Sequence, residues 1–156
     1  MVLAEICFRG RFEENVFMPS ETYPCSPKIE IDGLPYFARM CEKIRLHAAN
    51  DLHSDLHANL GIGMDEWTCQ FLGISYEALQ ETVLAGKTDI EALKWARHIG
   101  IQRLDCERQW WCSYMRNVGF QDSFADLLKQ RINESGLDDR EDIFTMFDYI
   151  DADEGR

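Results

Sequence analysis

The chain has 156 residues, 46% of them hydrophobic and 12% aromatic, which is typical of one domain with a sizeable core. Its formal net charge of −12 argues against a protein that binds the phosphates of DNA or RNA, or an anionic membrane surface. No apolar run is long enough to cross a bilayer and residues 1–15 lack the apolar core of a secretory signal, so we expect a cytosolic protein.

Residues 1–33 are predicted to form an irregular N-terminal arm, and residues 34–156 a helical domain. Pro19, Pro24, Pro27 and Gly33 disfavour regular structure in the arm, where "KIEI" offers at most one short strand.

From Leu34 onward the apolar spacing is helical. The first long helix, "PYFARMCEKIRLHAA", is predicted to begin with Pro35 in its first turn and to bury one apolar stripe: Phe37, Met40, Cys41, Ile44 and Ala48. The next three helices are predicted to be capped at Asp65, Ser75 and Thr88, and to end at Gly73, Gly86 and Gly100. Thr88 and Glu91 have the spacing of a capping box.

Three further helices are predicted to begin near Asp105, Asp122 and Asp138. The sequence therefore predicts an all-α fold: a single compact domain of six to seven helices, without a convincing strand pattern.

The six cysteines include no C-x-x-C pair, so we expect reduced thiols and no structural zinc. Cys41 and Cys69 lie among apolar residues and are predicted to be small core side chains.

His53 and His57 are four residues apart, which on a helix would let both imidazoles bind one metal ion. Asn50 and Asp51 are better caps than interior helix residues, however, and Ser54 stands where the zinc-protease motif needs a Glu. We favour histidines that face solvent at a helix end and predict no metal site. Gly61 and Gly63 then allow a tight turn that either only connects two helices or carries His57 and Asn59 into a cleft.

Arg39, Lys43 and His47 follow one another at helical spacing and form a cationic ridge, which we take to be the only one in the chain. Such a ridge can bind a carboxylate or phosphate. Alternatively, its cations pair with the acidic C-terminal residues Asp148, Asp151, Asp153 and Glu154. Acids at the end of a helix are unfavourable, which suggests a specific docking contact there or a site for a hard cation.

Trp110 and Trp111 are adjacent and cannot both point the same way on a helix. We expect one of them to face the core and the other to line a groove or an interface.

Four segments, "LPYFARMCEKIRLH", "LHANLGIGMDEWTCQFLGISYEAL", "AGKTDIEALKWARHIG" and "LDDREDIFTMFDYIDADEGR", resemble a bacterial family catalogued as domain of unknown function 5069. The resemblance runs from about Tyr23 to Arg156 and includes Arg39, Lys43 and the turn from His57 to Asp65. It implies the fold and a bacterial cytosolic origin, and it implies no mechanism.

Two functions remain open. In the first, a small anionic molecule binds between the first long helix and the turn from His57 to Asp65, with four residues as anchors: Arg39, Lys43, Asn59 and Trp111. If the site is catalytic, His57 is the acid/base candidate and Asp65 orients it or acts as the second group. In the second, the chain is a non-catalytic interaction module whose acidic surface and exposed Trp bind a partner or, as a homo-oligomer, a second copy.

Overall fold

The structure, a computed structural model, describes residues 21–156, so the first 20 residues of the predicted arm lie outside it. The elements in chain order are β1 (Glu30–Ile31), β2 (Leu34–Pro35), α1 (Phe37–Ala48), a 3-10 helix (Ser54–Asn59), α2 (Met64–Leu72), α3 (Tyr76–Leu84), α4 (Asp89–Ile99), α5 (Asp105–Asn117), α6 (Ala125–Glu134) and α7 (Met146–Asp153). Of the described residues, 57% are helical and 4% are in strands, which confirms the predicted all-α class. Within the described range, no helix combines the length and the apolar character needed to cross a membrane.

The two short strands form a hairpin that the sequence analysis missed. β1 and β2 are antiparallel, and Asp32 and Gly33 between them both have positive φ angles, 48° and 76°. Asp-Gly favours this kind of two-residue turn, because both of its central residues must adopt positive φ. Pro35 therefore lies in β2 and not in the first turn of α1, which begins at Phe37.

Residues 21–29 lie against the helical domain. The backbone N–H of Thr22 donates to the carbonyl of Asp51 at 2.7 Å, and that of His53 donates to the carbonyl of Thr22 at 3.0 Å. The N–H of Tyr36 donates to the carbonyl of Pro27 at 2.9 Å. These bonds tie the described part of the predicted arm to both ends of α1.

Several predicted helix ends are confirmed because local side chains determine them. The hydroxyl of Ser75 accepts from the N–H of Ala78 at 3.1 Å and caps α3. Thr88 and Glu91 form the predicted capping box of α4, and Gly73 ends α2 in the left-handed conformation. Each of these signals acts within four residues, which is why the sequence alone reveals them.

The predicted start of the last helix was wrong. α7 begins at Met146, not near Asp138, because Thr145 and Asp148 form a capping box with reciprocal bonds of 3.2 and 3.0 Å. Asp148 thus lies at the N-terminal end of its helix, where a carboxylate is favourable.

The start of α6 also differs from the prediction, by three residues. Asp122 does not cap the helix. Its carboxylate accepts hydrogen bonds from the N–H groups of Gly119 and Phe124, in the turn that precedes α6. The helix itself begins at Ala125.

The core consists of two clusters of buried side chains. The larger one surrounds α1 and includes Phe37, Met40, Cys41, Ile44, Leu79, Val83, Leu93, Ala96 and Phe147. The smaller one joins the end of α5 to α6 and α7 through Val118, Leu128, Ile143 and Met146. Met64 and Trp67 of α2 pack against both clusters and connect them.

Five of the six cysteines lie in residues 21–156, and all five are free thiols. Cys41 and Cys69 are 0% and 3% exposed, which confirms their predicted place in the core. Burial raises the pKa of both thiols, that of Cys69 to about 12.

These thiols predict a loss of stability at alkaline pH. Unfolded thiols ionise at about pH 8.5, whereas the buried thiols keep their protons, so the folded chain binds more protons and becomes less stable as pH rises towards about 12. Each buried thiol contributes a slope of at most about 1.4 kcal/mol per pH unit. Lys43, whose pKa burial lowers, acts in the opposite direction.

We expect Cys41→Ala to lower the free energy of unfolding but to flatten its decline between about pH 8.5 and 10, as measured by urea denaturation. Cys106→Ala should keep the wild-type slope, because the side chain of Cys106 is already exposed in the folded chain. Equal slopes for wild type and Cys41→Ala would contradict the prediction.

Candidate functional site

Arg39, the first residue of the predicted cationic ridge, is only 2% exposed. Its guanidinium forms an ion pair with Glu154, one Nη lying 2.9 Å from Oε2 and the other bonding Oε1. The first Nη also donates to the carbonyls of Pro24 and Cys25, at 3.3 and 2.9 Å. The guanidinium thus joins the N-terminal segment, α1 and the end of α7.

Lys43, one turn further along α1, is equally buried and belongs to a three-residue network. Its Nζ lies 2.6 Å from Oδ1 of Asp65 and donates to the hydroxyl of Tyr36 at 3.2 Å. The Tyr36 hydroxyl donates to the same carboxylate oxygen at 2.9 Å, and the N–H of Gly61 donates to Oδ2 at 3.0 Å. Burial lowers the pKa of Lys43 and raises that of Tyr36 well above its usual range.

The prediction that Asp65 is the N-cap of α2 is therefore wrong. Gly63 occupies that position. Asp65 is completely buried, and its carboxylate receives Lys43, Tyr36 and the loop backbone. An acid so far inside the protein must be paired, because an unpaired buried charge costs several kcal/mol, on the order of 5. The turn from His57 to Asp65 holds its shape through this carboxylate.

His57 and Asn59 lie on the surface, on the 3-10 helix. The Nε2 atom of His57 is 3.0 Å from the carbonyl oxygen of Leu52, and its ring meets that of His47 edge-on at 5.3 Å. His53 stacks on Tyr23 at 4.1 Å. The structure thus brings Lys43 and Asp65 together but places His57 and Asn59 outside that network.

The C-terminal acids have partners that the sequence did not reveal. Lys28 lies 2.8 Å from Asp148 and 3.4 Å from Asp151, and Arg156 lies 3.1 Å from Asp151. Within residues 21–156, no three His, Cys, Asp or Glu side chains are close enough to hold a metal ion. The acids of α7 thus serve as docking contacts for the N-terminal segment and α1.

A cleft of about 710 Å³ lies elsewhere, between the hairpin turn, the C-terminal ends of α2 and α4, and one face of α5. Four arginines line it: Arg97, Arg103, Arg108 and Arg116. We call it the arginine cleft. Its other lining residues are Asp32, Gly33, Leu34, Phe71, Leu72, Ile101, Gln102, Asp105, Gln109 and Cys112.

Two glycines allow the close packing at the floor of the arginine cleft. The N–H of Ile101 donates to the carbonyl of Leu72 at 2.9 Å, which joins the segment after α4 to the end of α2. A Cβ atom at Gly100 would lie 2.0 Å from that carbonyl oxygen, and one at Gly73 would lie 2.4 Å from the Ile101 side chain. Only glycine fits at either position, so the shape of the cleft depends on both.

The arginines of the cleft have acidic partners on the surface. Arg97 pairs with Asp32 and Arg108 with Asp105, while Arg116 lies 2.5 Å from Glu30. The Asp32 and Asp105 side chains are 59% and 84% exposed.

Arg103 lies against Phe71 at the end of α2. Its Nε donates to the carbonyl of Phe71 at 2.9 Å, and one Nη lies 3.6 Å from Glu107. The guanidinium carbon is 5.2 Å from the centre of the Phe71 ring. Arg103 therefore sits at the rim that the arginine cleft shares with a second cavity.

That second cavity, of about 750 Å³, is lined mainly by aromatic rings, and we call it the aromatic groove. Its lining residues are Trp67, Gln70, Phe71, Arg103, Glu107, Trp110, Trp111, Tyr114 and Phe124. Trp111 packs on the core and stacks on Phe71 with ring centres 4.7 Å apart, whereas Trp110 is 69% exposed. The prediction that the two tryptophans face different ways is confirmed.

The arginine cleft was not predicted from the sequence. Arg108 and Arg116 lie eight residues apart on one face of α5, with Cys112 between them, so the ridge on α1 is not the only one. The spacing was visible in the sequence, but the contributions of the hairpin, α2 and α4 were not. Neither cavity is lined by Arg39, Lys43, His57, Asn59 or Asp65, and of the predicted site residues only Trp111 lines the aromatic groove.

The chain was compared with models of known protein families. The family model described as "Domain of unknown function (DUF5069)" matches residues 21–156, which is the whole range that the structure describes. No curated protein matches the chain.

We predict that Glu154→Gln lowers the free energy of unfolding by about 3 kcal/mol, because it leaves Arg39 charged, buried and without a carboxylate. Urea denaturation at neutral pH measures the change. The matched control is Glu134→Gln, which breaks an exposed pair with Arg131 at 3.8 Å and should cost less than about 1 kcal/mol. Equal effects of the two substitutions would show that the buried pair has no special weight.

Proposed function

The chain belongs to the family described as Domain of unknown function (DUF5069), and we propose that it binds a small anionic molecule in the arginine cleft. The observation that carries the proposal is the convergence of four guanidinium groups on one cavity in a chain with a net charge of −12. Only two acidic residues, Asp32 and Asp105, line the same cavity. Arginines therefore outnumber acidic residues in the lining of this cavity, although acids outnumber basic residues in the chain as a whole.

Guanidinium groups suit this role because each presents a planar fork of N–H donors that matches a carboxylate or phosphate. Three of the four arginines have side chains that are at least 33% exposed. The exposed fractions are 33%, 42% and 44% for Arg97, Arg108 and Arg116. Their forks are therefore accessible from the cavity. The volume of about 710 Å³ lies within the usual range for small-molecule sites, about 300–1,000 Å³.

The acidic partners of these arginines do not block the site. Exposed ion pairs contribute less than about 1 kcal/mol, so a bound anion can replace a carboxylate such as Asp105 at little cost. The Arg39–Glu154 pair is different, because both side chains are only 3% exposed. Separating that pair would leave the buried guanidinium of Arg39 without a carboxylate.

The location differs from the one expected from sequence, between the first long helix and the turn from His57 to Asp65. There the two cations, Arg39 and Lys43, already have carboxylate partners inside the protein. This arrangement supports the ion-pair alternative for Arg39, which pairs with the C-terminal Glu154, whereas Lys43 pairs with Asp65 and not with a C-terminal acid. The proposed ligand is still a small anion, as predicted from the sequence. Its proposed binding site is now the arginine cleft beside α5.

The alternative function, a non-catalytic interaction module, draws its support from the exposure of Trp110. We favour the anion site because a single exposed ring is compatible with either function, whereas an interaction surface gives no reason for four arginines to surround a cavity.

We expect inorganic pyrophosphate to bind wild-type protein saturably in isothermal titration calorimetry at low salt. Arg108→Gln should weaken binding by about tenfold or more, because a hydrogen bond to a charged group contributes about 1.5–3 kcal/mol. The folding stability of this variant should fall by about 1–2 kcal/mol, because it loses an exposed ion pair with Asp105 and a hydrogen bond to the carbonyl of Arg103.

The matched control is Arg140→Gln, which removes an arginine that pairs with Asp142 at 2.7 Å outside the cleft. It should bind pyrophosphate as wild type does. Absence of binding to the wild-type protein, or an equal loss in both variants, would contradict the proposed site.

A further inference from the structure

The arginine cleft and the aromatic groove are neighbours that share two lining residues, Phe71 and Arg103. The guanidinium of Arg103 lies over the Phe71 ring and marks the boundary between them. A molecule of modest size that reaches one cavity at this rim can therefore reach the other.

Within the aromatic groove, Trp110 presents a large surface without packing against the core. Trp110 is 69% exposed. Its neighbour Trp111, by contrast, stacks on Phe71 with 5° between the ring planes. Exposed indole faces bind flat rings well, since stacking gains contact area and loses little conformational freedom. The groove thus offers stacking surfaces directly beside a cationic site.

We propose that the ligand of this protein is an anion that carries a planar aromatic or heteroaromatic ring. The anionic group binds the arginines of the cleft, and the ring lies in the aromatic groove against Trp110, with Arg103 between the two parts. This proposal rests on the proposed anion site and adds to it the chemical class of the ligand. The expected gain from one stacked ring is about tenfold in affinity.

Three probes test the two parts separately by isothermal titration calorimetry. Inorganic phosphate carries only the anion, 2-naphthol carries only the ring, and 2-naphthyl phosphate carries both. We expect 2-naphthyl phosphate to bind at least about tenfold more tightly than either of the others. In Trp110→Ala, the ratio of the phosphate and naphthyl phosphate dissociation constants should fall towards one.

Phe144→Ala is the matched control, because it removes another exposed ring, 59% accessible, that lines neither cavity. It should keep the wild-type ratio. If Trp110→Ala and Phe144→Ala have the same ratio as wild type, the ring does not lie on Trp110 and the inference is wrong.

The outcomes separate this inference from the function on which it rests. If phosphate and naphthyl phosphate bind equally well, the ring subsite is refuted and the anion site stands. If neither binds, the anion site fails and the inference falls with it. If light scattering shows a wild-type dimer that Trp110→Ala converts to a monomer, a second copy occupies the groove and the inference is overturned.

Discussion

Two cations on one helix, Arg39 and Lys43, are buried in a chain that carries a large excess of acid. Each must meet a carboxylate, and the two carboxylates come from distant parts of the described chain, Asp65 in the first turn of α2 and Glu154 at the end of α7. Asp65 holds the start of α2 and the loop before it against α1, and Glu154 holds the end of α7 against the same helix. The arrangement of the helices around α1 therefore depends on satisfying these two charges.

Asp65 also explains the strained backbone at the start of α1. Tyr36 has a positive φ of 69°, which is unusual for a residue with a large side chain. Its hydroxyl bonds Asp65 and Lys43, so the surrounding network holds the residue in this conformation. Local strain at the N-terminus of α1 is offset by the buried polar network.

The features that were predicted correctly depend on residues close together in the sequence, whereas those that were missed depend on contacts between distant parts of the chain. Ser75, Thr88 and Gly73 were predicted correctly because a cap depends only on neighbours within a few residues. Aspartate is a common N-cap residue, but the carboxylate of Asp65 instead pairs with Lys43, which is 22 residues away in the chain. The arginine cleft could not be predicted for the same reason: its walls come from elements far apart in the chain, and only the ridge on α5 is visible in the sequence.

The residues Met146 and Phe147 are adjacent in α7, yet they pack into different clusters of the core. The helix that contributes to both clusters is also the one that leads to Glu154, the partner of Arg39. Releasing α7 by itself would thus uncover apolar side chains of both clusters and separate Arg39 from Glu154. Partial unfolding at this end gains little entropy for such a cost, so the two halves of the core are expected to melt in one cooperative transition.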